Sequence, residues 1–240
     1  MKILALDLAA DNCSVALWRH GELIGRDAPA VRGHGAQLLA MVDAVLGDAG
    51  IGLPALDAIA FGRGPGAFTG LRLAASVTQG LAFAAGLPVI PVSDLRALAQ
   101  QLVAAPVAAD RVLVCHDARM GEVYWAAFSN VDGHARADTV EAVARPEAVV
   151  APARSWLGST SAAGAGSGFA VYAALTEFGA QLAPLAAELR PRALEMALLA
   201  AHDGAPAALA PELAVPVYLR NDVTSAPKPG AVGPRDASAL

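Results

Sequence analysis

Lysine is nearly missing from this chain of 240 residues: Lys2 and Lys228 are the only two, and every other base is arginine. With 16% charged residues and a formal net charge of −5, the sequence lacks the clustered cations that neutralise phosphates, which argues against a stand-alone nucleic-acid binder. Cysteine is as scarce. Cys13 and Cys115 each sit in an apolar, strand-like run and read as buried free thiols of a reducing compartment, not as a disulfide or metal pair. No CxxC or HxxxH occurs, and His20, His34, His116, His134 and His202 show no ligand spacing, so no metal site is expected. No apolar run is long enough to span a bilayer. The apolar N-terminus meets Asp7 too early for a signal peptide, so a cytoplasmic location without membrane contact is expected. Serine, histidine and aspartate are present, but nothing in their spacing arranges a nucleophile beside a base, and no catalytic residue is assigned.

What the chain has is apolar residues, 55% of the total, enough to give one large domain or two small ones a real core. Lys2–Leu8, Cys13–Arg19 and Glu22–Asp27 read as a three-stranded meander, with His20-Gly21 as a two-residue turn. A helix over Gly33–Leu46 carries a wide apolar face of Leu38, Leu39, Met41, Val42, Val45 and Leu46. The strand Asp57–Phe61 follows, then a helix to Ala85 rich in small residues, the strand Leu87–Val92 and a helix over Asp94–Val103 capped by Ser93. Ala104–Asp110 reads as a boundary, after which the pattern restarts. Arg111–His116, Glu122–Phe128 and His134–Val140 form a second meander, followed by helices from Pro146, Phe169 and Ala193. Gly164–Gly168 reads as a flexible connector rich in Ala, Gly and Ser, with an adenosine-binding loop as the alternative. The expected organisation is an N-terminal unit over 1–105, a second over 106–223 and a disordered tail over 224–240.

Between the Asp57–Phe61 strand and its helix lies Gly62-Arg63-Gly64-Pro65-Gly66-Ala67-Phe68-Thr69-Gly70-Leu71-Arg72. A glycine-rich turn from strand to helix lets backbone N–H groups converge on an anion, and it equally lets two backbones approach closely.

These segments together resemble the bacterial TsaB (YeaZ) family. The resemblance rests on Ile3-Leu4-Ala5-Leu6-Asp7, Cys13–Leu17, His34 with Leu38-Leu39, the whole Gly62–Arg72 loop, Gly80-Leu81-Ala82, Asp117–Tyr124 and Val215–Asn221, in order along the chain. It implies an α/β fold of two tandem ribonuclease-H-like (actin-like ATPase) subdomains, each a mixed sheet opening with a three-stranded meander and covered by helices. It also implies a non-catalytic scaffold or activator in the synthesis of threonylcarbamoyladenosine (t6A) on tRNAs reading ANN codons. The implied partner is a TsaD-type transferase, with a TsaE-type ATPase in the wider complex. In the family the first two helices form a bundle with the partner or with a second copy, which leaves monomer and homodimer both open for the chain alone, and tRNA is met only through the complex. The first two helices would carry the interface, through Leu38, Leu39, Val42, Leu46, Leu71, Ala74, Ala75 and Thr78.

Departures from the family pattern bear on chemistry. Leu8 and Ala9 replace hydroxyls after Asp7, Gly35 replaces a serine and Ala67 replaces the loop serine. The vestigial nucleotide or anion candidates are Asp7, Arg63, Gly64, Gly66, Arg72 and Asp117, with Asp7 expected to cap its own turn and Asp117 to contact Arg119. Where the transferase family carries two metal-binding histidines, this chain has Asp94 and Leu98. No cofactor of its own is expected, and ATP or ADP is expected only at a complex interface. The alternatives are a small-molecule kinase or ATPase of the same fold, holding MgATP on Asp7, the loop and Asp117, and a peptidase.

Overall fold

The computed structural model describes residues 1–30, 34–105 and 108–220. The expected helix start at Gly33, Pro106 at the expected boundary, and the tail lie outside the described residues.

The opening meander forms as β1 (Lys2–Asp7), β2 (Asn12–Arg19) and β3 (Glu22–Pro29). His20 and Gly21, at φ 51° and 95°, make the tight turn between the last two, the left-handed conformation whose twist suits a two-residue hairpin. Then come α1 (His34–Asp48), β4 (Ala58–Gly62), α2 (Phe68–Ala85) and β5 (Val89–Val92). The five strands order as β3-β2-β1-β4-β5, with β1, β4 and β5 parallel. Such a central strand is buried on both faces, which is why Ile3–Leu6 of β1 and all of β4 form unbroken apolar runs instead of alternating.

α3 (Asp94–Val103) starts where expected: the Ser93 hydroxyl accepts the Arg96 N–H at 3.1 Å. The second sheet contains β6 (Arg111–Arg119), β7 (Glu122–Val131), β8 (His134–Ala137) and β9 (Ala142–Ala144). The chain continues through α4 (Pro146–Leu157), β10 (Ala163–Ala165), α5 (Gly168–Val171), α6 (Ala173–Gly179), β11 (Leu185–Ala186) and α7 (Ala193–Asp203). Its order is β11-β10-β6-β7-β8, with β9 also on β7.

Two expectations are corrected here. The third strand of the second meander stops at Ala137, because the next ladder position is taken by a side chain. The Thr139 hydroxyl accepts the Ala127 N–H at 2.9 Å, and β9 pairs farther along β7. The Gly164–Gly168 segment is not a connector. Its first part is β10, parallel to β6 and fully buried; residues as small as Ala-Gly-Ala fit there because Leu182 and Leu185 press on Gly164.

The layers run α1/α2, first sheet, α7, α3, second sheet, α4–α6. On its outer face the first sheet packs Leu4, Leu6, Val15 and Phe61 against Leu38, Val42 and Ala74. On its inner face it packs Ile3, Ala60 and Ile90 against Met196, Leu199 and Ala200 of α7. α3 buries Leu95, Leu98 and Leu102 against Val112, Val114 and Phe128 of the second sheet. Helices therefore cross over. α3, read as part of the first unit, packs on the second sheet, and α7, far along the chain, packs on the first. A cut at 105/106 separates the sheets but not the helices that cover them.

Arg96 on α3 ties this middle together. Its Nε donates to Ala135 O at 2.7 Å and its two terminal nitrogens reach Asp203 of α7 at 2.5 and 3.0 Å. Removing it leaves a mostly buried carboxylate and a carbonyl unpaired. Arg96→Ala is expected to lower stability by about 2 kcal/mol or more, measured by urea unfolding.

After α7 the chain returns as a strap. Leu209 bridges β5 at Val89, Gln79 of α2 donates to Ala214 O at 3.1 Å, and Val217 N donates to Arg63 O at 2.7 Å. Arg220 then reaches the second lobe, donating to Ala118 O, Arg119 O and Glu122.

Candidate functional site

The strand ends β1 and β4 lie side by side, so the turn after Asp7 faces the Gly62–Arg72 loop. Asp7 is fully buried, and its Oδ1 accepts the Ala9 N–H at 3.0 Å, the expected turn cap. The loop then settles onto that turn. Ala67 N donates to Ala9 O at 2.7 Å, an amide that an anion-binding loop would offer to its ligand. A Cβ on Gly66 would lie 2.6 Å from Ala9 O, and one on Gly70 1.8 Å from Leu8 O. Gly64, at φ 103°, donates to Asp94 Oδ2 at 2.5 Å. The glycines thus serve a close approach of backbone to backbone, and two of the loop's N–H groups are satisfied by the chain itself.

The loop's cations are also engaged. Arg63 pairs with Glu141 of the second lobe at 3.0 Å, and Glu141 also takes the Ser93 hydroxyl. Arg72 lies 3.8 Å above the Phe68 ring and donates to the Tyr218 hydroxyl at 3.0 Å.

Between the lobes a cleft of about 400 Å3 opens, with Ala9–Asp11, Gly66 and Ala67 on one wall and His116–Arg119, Ser167 and Glu188–Arg190 among those opposite. Of the six anion candidates, only Gly66 and Asp117 line it. Asp7 and Gly64 are buried, and Arg63 and Arg72 are committed elsewhere. Asp117 accepts the Tyr172 hydroxyl at 2.7 Å and the Arg119 N–H at 2.9 Å, and its other oxygen lies 3.4 Å from the Arg119 guanidinium. The expected Asp117–Arg119 contact therefore forms, in a hairpin that holds Arg119 and Met120 at φ 62° and 58°.

Ser167 and His116 form a pair that the sequence concealed. The Ser167 hydroxyl accepts the Asp117 N–H at 3.1 Å and lies 3.3 Å from His116 Nδ1. Burial lowers the His116 pKa to about 4, so the ring is neutral at pH 7. A base that weak drives proton abstraction poorly at neutral pH, and Asp117, which could orient it, is held by Tyr172 and Arg119. The pair ties the start of α5 to the end of β6. Its only signal in the sequence was Ser167 among glycines, fifty-one residues from His116.

The eight residues expected at a partner interface divide unevenly. Leu38, Val42, Leu46, Leu71, Ala74, Ala75 and Thr78 are buried in this chain's own core, against the first sheet; Leu39 alone is exposed, at 44%. The helical periodicity holds, and seven of the eight side chains lie on the sheet-facing side of α1 and α2. The outward face of α2 presents Arg72, Ser76, Gly80, Phe83 and Ala84, with Leu73 and Val77 half-buried. A Cβ on Gly80 would meet nothing within 4 Å.

Among the described residues no three His, Cys, Asp or Glu side chains cluster to hold a metal, and no helix is long and apolar enough to cross a membrane.

Residues 28–230 match the family described as "TsaD: tRNA N6-adenosine threonylcarbamoyltransferase". The chain is 38% identical to the tRNA threonylcarbamoyladenosine biosynthesis protein TsaB of Haemophilus influenzae, over 96% of this chain and 98% of that one. It is also 38% identical to the TsaB of Escherichia coli, over 96% and 99%. A crystal structure from Pseudomonas aeruginosa, described as similar to peptidase YEAZ, superposes with a TM-score of 0.83 at 43% identity, over 91% of this chain and 99% of that one. A second, YeaZ from the same organism, gives 0.79 at 41% identity, with the same coverage. Two α/β lobes joined by crossed helices, a glycine loop closed on its own β1 turn, and likeness over nearly the full length of these proteins together place the chain in the TsaB (YeaZ) family.

Proposed function

We propose that the chain is a non-catalytic scaffold and activator in the formation of t6A on tRNA, binding and supporting a TsaD-type transferase. The observation that carries this reading is the outward face of α2. Ser76, Gly80 and Ala84 recur every fourth residue there, beside Leu73 and Val77. Glycine inside a helix costs about 1 kcal/mol relative to alanine, and the space beyond Gly80 is open. Nothing among the described residues calls for that glycine, whereas a helix of a partner approaching closely would. Leu39 of α1 and Phe83, 82% exposed, supply apolar anchors at the same outer layer of helices.

The absence of chemistry is supported by the loop. Its Ala67 N–H is occupied by Ala9 O, hydroxyls are replaced at Leu8, Ala9 and Ala67, and Asp7 has no exposed surface from which to hold a metal-bound water. The kinase or ATPase alternative requires all three to serve MgATP. The chain then has no cofactor of its own, the complex interface is the one place left open to ATP or ADP, a TsaE-type ATPase joins the wider complex, and tRNA is met through the complex in the cytoplasm. Alone, the same face is open to a second copy.

Light scattering of the chain mixed with its cognate transferase tests this. The wild type is expected to form a complex of one copy of each, and Leu39→Glu to weaken it at least tenfold, because a charge is buried at the contact. A complex indifferent to that charge would remove α1 from the interface.

A further inference from the structure

At the floor of the lobe junction two carboxylates meet with no basic side chain hydrogen-bonded to either. Asp7 ends β1 and Asp94 begins α3, and both are fully buried. They converge on Gly62: a Cβ there would lie 2.5 Å from Asp7 Oδ1 and 2.8 Å from Asp94 Oδ1. Each has one oxygen satisfied by a backbone N–H, Ala9 for Asp7 and Gly64 for Asp94. The other oxygens, Asp7 Oδ2 and Asp94 Oδ1, have no hydrogen-bond partner among the described residues. Buried polar atoms are rarely left so, and two adjacent buried charges of one sign are strongly disfavoured.

We infer that Asp7 and Asp94 share one proton in the folded chain, and that this proton latches the end of β1 to the start of α3, so that the junction of the two lobes loosens as pH rises. A single proton on Asp94 Oδ1, donated to Asp7 Oδ2, satisfies both orphan oxygens at once and removes one charge. It also needs no more space than Gly62 leaves, and the Met196 methyl closes the other side at 3.0 Å from the Gly62 Cβ position.

The surrounding groups agree. Burial pushes the Asp7 carboxyl up to about 6, and burial together with the Asp7 charge pushes Asp94 well above the ordinary range. From β3, Asp27 adds negative charge toward Asp7, although it also receives the Asn12 amide at 3.0 Å. From β2, the Cys13 thiol is itself pushed up to about 11, by burial and by these two aspartates. From the loop, Arg63 is the cation that favours ionised Asp94, and its guanidinium is bound to Glu141. The sign follows. A carboxyl raised in the folded state gives stability that is complete below about pH 4 and is lost as pH rises through the folded value.

Urea unfolding of the full chain and of Asp94→Asn from pH 5 to pH 7.5 tests the latch. The amide donates to Asp7 without a proton to lose, so the folding equilibrium constant of Asp94→Asn is expected to gain at least tenfold on wild type across that range. Parallel pH profiles would overturn the inference. Carbon NMR of the unaltered chain with labelled aspartate carboxyls gives an answer even where the variant does not fold. One carboxyl titrating near 6 and one staying protonated above it are expected; every aspartate titrating near 4 would overturn the shared proton.

Discussion

Gly70→Ala is expected to lower stability by more than about 3 kcal/mol, or to prevent folding, although alanine is the better helix former. The added methyl would sit 1.8 Å from the Leu8 carbonyl oxygen, about half a van der Waals contact. Neither side can give way cheaply. Gly70 is in the first turn of an eighteen-residue helix, and Leu8 follows a strand paired on both edges. Gly80→Ala is the matched control in the same helix. Its methyl meets nothing within 4 Å, so it is expected to gain about 0.5–1 kcal/mol. Urea midpoints of the two variants test the reading directly. Equal effects would mean that the loop does not lie on the turn as described.

The second large effect concerns Gly80 in the complex. Gly80→Leu is expected to leave the isolated chain as stable as wild type, because the side chain enters solvent, and to weaken transferase binding about 100-fold, near 3 kcal/mol. Two helices that meet across glycine must separate to admit a leucine, which breaks contacts along the whole stripe. Titration calorimetry against the cognate transferase measures this. Unchanged affinity would place the interface away from α2.

Element types were legible wherever a local signal was strong. Ser93 announced α3, and His20-Gly21 and Asp132-Gly133 announced hairpin turns, the latter again with left-handed φ at both residues. The short strands β9, β10 and β11 were not, since two or three residues carry no periodicity; β9 pairs with β7, β10 with β6, and β11 with β10. The crossing of α3 and α7 was hidden for a related reason. An apolar face tells that a helix is buried, not which sheet buries it.

The candidate site was half legible. The loop's glycines marked a close approach, but only the coordinates tell that the approaching group is the Ala9 turn. On α1 the leucine- and valine-rich stripe went to the core, leaving Leu39 outside. On α2 small residues lie on both sides, Ala74, Ala75 and Ala82 inward and Ser76, Gly80 and Ala84 outward, so composition alone did not tell the two faces apart. Asp94 gave no hint of its pairing with Asp7, because eighty-seven residues separate them.

The central claim is that this chain acts by what its outer helices bind and not by chemistry in its cleft. Formation of t6A by the reconstituted transferase system tests it most directly, comparing wild type, Gly80→Leu and Asp117→Asn. The account predicts that product falls at least tenfold with Gly80→Leu and stays near the wild-type level with Asp117→Asn. Product that survives Gly80→Leu and is lost with Asp117→Asn would contradict it.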